Sequence, residues 1–429
     1  MRNVLLIAYY FHEKENIGSV RLKGLAKYLP RYGWNPVIVT PQFPEKLDPF
    51  WEDYDMIEVS YEDLMTQWKR YLGFKPHTTV REQMESRTYK NKRSWLETMA
   101  RVWEEFFTYP DGQKTWYKPV LSKIEKSIHS KQIDAVISSA LPLTSHMIAS
   151  AIKYRYGIPW IADFRDLWTQ NHYYKYTSIR KFFETRLELK TLKNADVMTT
   201  VSEPLVHDLK KLHQKDEVHS IPNGFDPDQI NTGTPLSNKF NITYTGQLYR
   251  GKRDPEPLFK SLSELSRDGL IDLDEVEVNF YSPLESWLEE ESAKYGLESV
   301  VNLYGMIPHE KVIQKQQESQ LLLLLMWDNP SETGVCTGKI FEYLSAKRPI
   351  LSQGIKEGCV ANILINTNTG KAVKTVHEIK DVLIKYYLQY RKNGQVQYQG
   401  NEKIYQYSHE NMACRFGKLL DKITSNTKK

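Results

Sequence analysis

Residues 331–351 read SETGVCTGKIFEYLSAKRPIL. They follow an apolar run at 321–326, LLLLLM, short enough for one buried strand. The small pair Thr337–Gly338 then opens a helix predicted over 339–346, and Pro349 leads into the next strand. This is the strand–loop–helix–strand unit of an α/β sheet. A helix start with no side chain at Gly338 presents free backbone N–H groups, which accept phosphate oxygens. Lys339 adds a cation there, and Glu342 lies on the same helical face. A carboxylate one turn from a phosphate site is placed to take the two hydroxyls of a ribose. Two readings fit this spacing: a nucleoside diphosphate lying along the helix start, or a plain surface Lys–Glu pair.

The same grammar runs outward on both sides. Towards the N-terminus, 4–8 is a strand, and Gly18 opens a helix whose Leu22, Leu25, Ala26 and Leu29 form one apolar face. Residues 36–40 form the next strand, which makes a βαβ unit. The Gly18–Arg21 turn is either a ligand contact or a simple helix start. Residues 135–138 and 160–162 are further strands. Their carboxyl ends carry SALP at 139–142 and DFRDLW at 163–168, where open α/β sheets bind ligands. His146, just inside the following helix, is either a ligand contact or a satisfied half-buried histidine. Asp163 is placed to accept a proton from an attacking hydroxyl. Arg165 and Asp166 read as a pair that fixes the loop or caps the next helix.

Asn223–Gly224, flanked by Pro222, breaks the pattern and puts a domain boundary near 215–235. Beyond it, strands are predicted at 241–245, 276–281, 300–304 and 321–325. The turn GQLYRGKR at 246–253 sets Arg250, Lys252 and Arg253 beside Gly246. This is either a diphosphate-neutralising loop or a solvated basic one. Asp226–Asp228 and Asp272–Asp274 both read DxD, but neither follows a buried strand, so both are expected to be turns. Ser408 caps a last helix, whose Met412, Phe416, Leu419, Leu420 and Ile423 form one stripe suited to packing back on the first domain.

Composition narrows the class. The chain has 429 residues, 40% hydrophobic and 26% charged, with a net charge of +5. That predicts a water-soluble protein of two or three domains. The mild positive excess favours anionic small molecules or a lipid surface over nucleic acid. No run approaches the ~20 apolar residues of a membrane span. Three widely spaced cysteines, Cys336, Cys359 and Cys414, predict no disulfide frame, no zinc site and a reducing compartment. The stretch 45–113 differs from the rest. It predicts aromatic amphipathic helices at 61–72 and 95–107 around a basic linker. It reads either as a segment lying on an anionic membrane or acceptor groove, or as a helical insertion packed on its own domain.

With these stretches in hand, the chain resembles the GT-B glycosyltransferases, and within them glycosyltransferase family 4. The carriers are ADFRDLW (162–168), ADVMTTVSE (195–203), IPNGFD (221–226), YTGQLYRGKRDP (244–255), VNLYGMIP (301–308) and TGKIFEYLSAKRPIL (337–351). The resemblance implies an α/β protein with two Rossmann-like, doubly wound parallel-sheet domains facing across a cleft. The expected bounds are 1–215 on the acceptor side, with an insertion at about 45–115, then 216–405 on the nucleotide-sugar side. A C-terminal helix, 406–429, is expected to return to the first domain.

It implies a nucleoside-diphosphate sugar as donor, retention at the anomeric carbon, and no metal or other cofactor. A glycan or lipid-linked acceptor in cell-envelope polysaccharide synthesis is expected, in the cytoplasm or at the inner face of the membrane. By position, Glu342 matches the ribose-holding glutamate, and Lys339 and Arg253 the cations on the diphosphate. Thr337 and Gly338 match the helix start, and Met306 the backbone contact to the base. Gly246 and Lys252 belong to the donor turn, and Gly18 matches one glycine of an N-terminal pair. Asp163 falls where relatives place a histidine or aspartate near the reacting sugar, with His146 and Arg165 on the acceptor side.

The sequence also departs from the family. Relatives carry two glutamates eight apart. Here Glu332 and Glu342 are ten apart, with Gly334 at the earlier position. Gln247 stands where an arginine is common, which leaves more of the phosphate work to Arg253. A sugar-nucleotide epimerase of the same fold and a non-catalytic sugar-nucleotide or polysaccharide binding protein are the competing expectations.

Overall fold

The computed structural model describes residues 1–12, 17–42, 49–62, 64, 108–174, 176–231 and 233–426. The helices expected at 61–72 and 95–107, and the basic linker between them, lie almost wholly outside these residues. The chain divides into two units. The first comprises Met1–Val201, Leu205–Ile221 and Ala413–Lys429, and the second Ser202–Pro204 and Pro222–Met412.

The first unit is built on seven strands: β1 (Arg2–Ile7), β2 (Trp34–Pro41), β3 (Asp55–Val59), β4 (Ile133–Ala140), β5 (Trp160–Phe164), β6 (Val197–Thr200) and β7 (Val218–Ser220). All pair in parallel, in the order β3-β2-β1-β4-β5-β6-β7. The central strands are buried along nearly their whole length, as helices on both faces require. The helices are α1 (Ile17–Tyr28), α2 (Tyr117–Lys131), α3 (Thr144–Tyr156), α4 (Ser178–Leu192) and α5 (Glu203–His213). The chain winds outward from β1 to β3 and then returns to β4, so the order reverses between β1 and β4.

The second unit repeats the plan with six parallel strands. They are β8 (Phe240–Thr245), β9 (Val276–Tyr281), β10 (Val301–Leu303), β11 (Leu321–Leu325), β12 (Ile350–Gln353) and β13 (Gly370–Val373). Their order is β10-β9-β8-β11-β12-β13, which reverses between β8 and β11. The helices are α6 (Glu256–Arg267), α7 (Ser286–Lys294), α8 (His309–Gln317), α9 (Gly338–Ala346), α10 (Cys359–Thr367) and α11 (Val376–Asn393). The all-leucine strand β11 is buried throughout, with separate hydrophobic clusters on its two faces.

The last helix, α12 (His409–Asn426), is capped by the Ser408 hydroxyl, which accepts from Asn411 N at 3.1 Å. From Ala413 onward it belongs to the first unit. There Phe416 and Leu420 are buried, Trp34 Nε1 donates to Asp421 at 3.0 Å, and Arg2 pairs with Asp421.

One expectation needs correction, and that for the two DxD turns holds. Cys336 and Cys359 form a disulfide with Cα atoms 5.7 Å apart, leaving Cys414 free. The 23-residue separation hid this, because α9 and β12 bring the chain back on itself. Each DxD closes its own short turn: the first aspartate's side chain accepts from the backbone N–H of the second.

Candidate functional site

In open α/β sheets, ligands lie outside the carboxyl ends of the strands where the order reverses. In the second unit that point joins the end of β8 to the start of α9. β8 ends at Thr245, and Gly246 follows with φ +95°, a left-handed conformation that glycine accepts without strain. A Cβ at Gly246 would stand 2.5 Å from Lys339 Cε. The missing side chain is what lets Lys339 lie across the turn. Its ammonium donates to Tyr244 Oη at 3.1 Å and sits 4.9 Å from that ring's centroid.

Burial first, and the Arg253 guanidinium second, lower the Lys339 pKa to about 8 against the opposing charge of Glu342. Among the described residues, no carboxylate comes within ion-pair distance of Lys339 or Arg253. A partly desolvated cation without a counter-ion is an anion site in waiting. The start of α9 supplies the second half of such a site. The first turn of a helix leaves its N–H groups without intrahelical partners, and the Thr337 side chain makes no capping bond to them.

Residues that the sequence reading passed over hold this cradle in shape. Tyr343 is fully buried; its hydroxyl accepts from Thr245 N at 3.2 Å and donates to Leu323 O at 3.1 Å, pinning α9 to β8 and β11. Gln316, buried in α8, donates through Nε2 to Thr245 Oγ1 at 3.0 Å and to Glu342 Oε2 at 3.1 Å. Gln316 therefore fixes one oxygen of Glu342. Arg253 closes a tight turn by donating its backbone N–H to Tyr249 O at 2.8 Å. Lys252 sets its ammonium 4.3 Å from the Trp327 ring centroid. At the carboxyl ends of β9 and β10, Tyr281 and Tyr304 stack at 4.8 Å with an interplanar angle of 10°. The exposed Met306 follows them on that loop.

Of the predicted donor residues, Gly246, Thr337, Gly338, Lys339, Glu342 and Arg253 thus come together, with Lys252 on the adjoining turn. Gly18 does not join them. It lies buried in the first turn of α1, in the first unit.

The reversal point of the first unit is built differently. Asp163, at the end of β5, is wholly buried. Arg21 grips it with Nε at 2.9 Å and Nη2 at 2.8 Å, while Thr199 and Ser139 hydroxyls donate at 2.7 and 3.1 Å. Burial opposes ionisation of Asp163, but Arg21 and the two hydroxyls outweigh it and hold the pKa below the usual carboxylate value. A carboxylate so enclosed does not reach an acceptor hydroxyl. The role of proton acceptor expected for Asp163 gives way to that of a structural anchor joining α1, β4, β5 and β6.

His146 is also fully buried. Its Nδ1 lies 2.8 Å from Ser138 Oγ, and burial lowers its pKa to about 3. It is a neutral core histidine, not a half-exposed one. Arg165 feels the charge of Asp166 but, among the described residues, makes no hydrogen bond or ion pair with it. It donates to the carbonyls of Ala140 and Leu141, both at 2.9 Å, and so shapes the loop after β4.

Residues 18–229 match the family model described as Glycosyltransferase Family 4. This half of the chain is similar to glycosyltransferase family 4, and the fold is that of the GT-B glycosyltransferases. No curated protein matches the sequence. Solved structures match the fold over nearly the full length of the chain. A glycosyltransferase from Rickettsia africae is 15% identical, with a TM-score of 0.62 over 99% of both chains. Sucrose-phosphate synthase from Thermosynechococcus elongatus is 12% identical, with a TM-score of 0.61 over 99% of this chain and 100% of its own. Anabaena HepE, solved with UDP-glucose, is 12% identical, with a TM-score of 0.61 over 98% of this chain and 100% of its own.

Proposed function

We propose that the transferase moves a sugar, with retention of anomeric configuration, from a nucleoside-diphosphate sugar to a hydroxyl of a glycan or lipid-linked acceptor. The observation that carries this reading is Lys339, laid over the side-chain-free turn at Gly246 beside Arg253, with no carboxylate within ion-pair distance among the described residues. The diphosphate would seat its oxygens on these two cations and on the first amides of α9. Glu342, held by Gln316, would take the ribose hydroxyls. As the glycosidic bond breaks, charge grows on the leaving diphosphate, and groups already in place stabilise it there more than in the ground state. These cations and amides would carry that charge without a metal ion. Retention rests on the family likeness. So does a role in envelope polysaccharide synthesis, at the cytoplasmic side where sugar nucleotides are made. The UDP-glucose bound to HepE makes UDP sugars the first donors to try.

The test is turnover on a panel of nucleotide sugars and glycan acceptors, with the product anomer read by NMR. Arg253→Ala should lower kcat by roughly 10²-fold or more. Full turnover by that variant, or epimerised donor formed without any acceptor, would overturn the reading.

A further inference from the structure

The helix α4 of the first unit is polarised in an unusual sense. Ile179, Phe182, Phe183, Arg186, Lys190 and Lys193 follow one another at i, i+3, i+4, i+7, i+11 and i+14, which places them on a single stripe. All six are exposed, and Ile179, Phe182 and Phe183 each leave more than half of their surface in water, at 66%, 55% and 53%.

The only acids of α4, Glu184 and Glu188, face the other way and are fully buried. Glu184 accepts from Trp168 Nε1 at 2.7 Å, and Glu188 from Thr169 N at 3.1 Å. The exposed stripe is therefore apolar and cationic with no acid in it. Among the described residues, Arg186, Lys190 and Lys193 form no ion pair. Arg186 lies instead 4.8 Å from the Phe182 ring centroid, so ring and cation are presented together.

Such a stripe costs free energy in water, and large exposed apolar groups ringed by one sign of charge mark an interaction surface. We propose that this face of α4 docks on an anionic lipid surface, with Ile179, Phe182 and Phe183 entering the headgroup boundary and Arg186, Lys190 and Lys193 meeting the lipid phosphates. Charge decides between occupants. The chain's own stretch 65–107 carries nine Lys and Arg against five Glu, so it would add cations to cations. A second copy would set this stripe against its own positive charge. A surface rich in anionic headgroups is complementary. The inference goes beyond the donor reading, since docking requires no sugar transfer.

The full-length protein should co-sediment with vesicles of phosphatidylcholine plus phosphatidylglycerol and not with phosphatidylcholine alone. Binding should weaken as salt rises. Arg186→Glu with Lys190→Glu should weaken it about 25-fold or more, at roughly fivefold for each cation lost. Phe182→Ser with Phe183→Ser should weaken it about tenfold or more. Circular dichroism and thermal melting of both double variants confirm that the fold is kept. Binding to neutral and anionic vesicles alike, no binding, or binding untouched by both double variants would each overturn the proposal. So would a lipid-free dimer dissolved by the phenylalanine variant, or binding that appears only when 65–107 is deleted.

Discussion

The lowered basicity of Lys339 makes donor binding a proton-linked event with a calculable size. In the free protein its pKa is about 8, because the site removes water from the ammonium and supplies Arg253 as a like charge. A diphosphate seated beside it reverses both influences and restores the ammonium form. If the bound value returns to the usual 10.5, then at pH 8 binding takes up about 0.5 proton from the buffer. The same arithmetic gives about 0.9 proton at pH 9 and about 0.1 at pH 7.

Isothermal titration of UDP into the protein, in buffers of different ionisation enthalpy, reads this number directly as the slope of observed heat against buffer heat. Lys339→Met keeps the stem over Gly246 and removes the titrating group, so its slope should be near zero at every pH. No uptake at pH 9, or equal uptake in Lys339→Met, would refute the reasoning. The free protein carries the complementary signature. A lysine whose folded pKa lies below its unfolded one binds fewer protons folded than unfolded, between about pH 8 and 10.5. Stability should therefore rise with pH across that window, by about 3 kcal/mol relative to Lys339→Met in urea titrations.

Three further substitutions test separate joints of the site. Gly246→Ala sets a Cβ 2.5 Å from Lys339 Cε at φ +95°; it should cost about 1–2 kcal/mol in urea unfolding and should abolish the proton uptake along with most UDP affinity. Gln316→Leu removes the donor to Glu342 Oε2; it should weaken UDP about fivefold and leave 2′,3′-dideoxy-UDP unchanged, since the ribose hydroxyls are what the glutamate reads. Asp163→Asn strips the buried Arg21 of its counter-charge and should cost about 3–5 kcal/mol of stability at pH 7. Because the folded Asp163 pKa is depressed, the wild-type advantage is full above the ordinary carboxylate pKa and fades as pH falls through the folded value, so the two proteins should converge in acid. A variant that keeps wild-type stability but loses all turnover would return Asp163 to the role of proton acceptor.

What the sequence disclosed follows from the range of the interactions. The strand at 321–325 and the helix opening at Gly338 depend on neighbours within a few residues, and apolar runs and small-residue turns report them directly. The shared face of Lys339 and Glu342 is likewise a local matter of helical spacing. Asp163 was read by its position at a strand end, which was right, but its chemistry depends on Arg21, 142 residues earlier. Gln316 had no signal of its own, because its meeting with Glu342 is created by the crossing of α8 and α9. Nor did Tyr244 stand out, since an alternating strand does not say which ring will lie under a lysine from another element. The cysteine pair failed for the same reason, as spacing along the chain does not measure distance between a loop and a helix start.

The two sheets carry a common device put to opposite ends. Each sets a cation from a neighbouring helix at the carboxyl edge of its central strands, Arg21 of α1 in one and Lys339 of α9 in the other. In the first unit a carboxylate and two hydroxyls meet that cation inside the fold, and every charge is spent on holding four elements together. In the second unit the turn has a glycine where a side chain would stand, and Lys339 donates to a phenol and feels the like charge of Arg253, with no ion pair among the described residues. Removing a partner from the first site leaves a buried charge and threatens the fold. Removing the cation from the second relieves repulsion and desolvation, and so should leave the free protein as stable or more so. That opposite sign separates a structural ion pair from a site kept open for an anion, and it is measurable before any substrate is known.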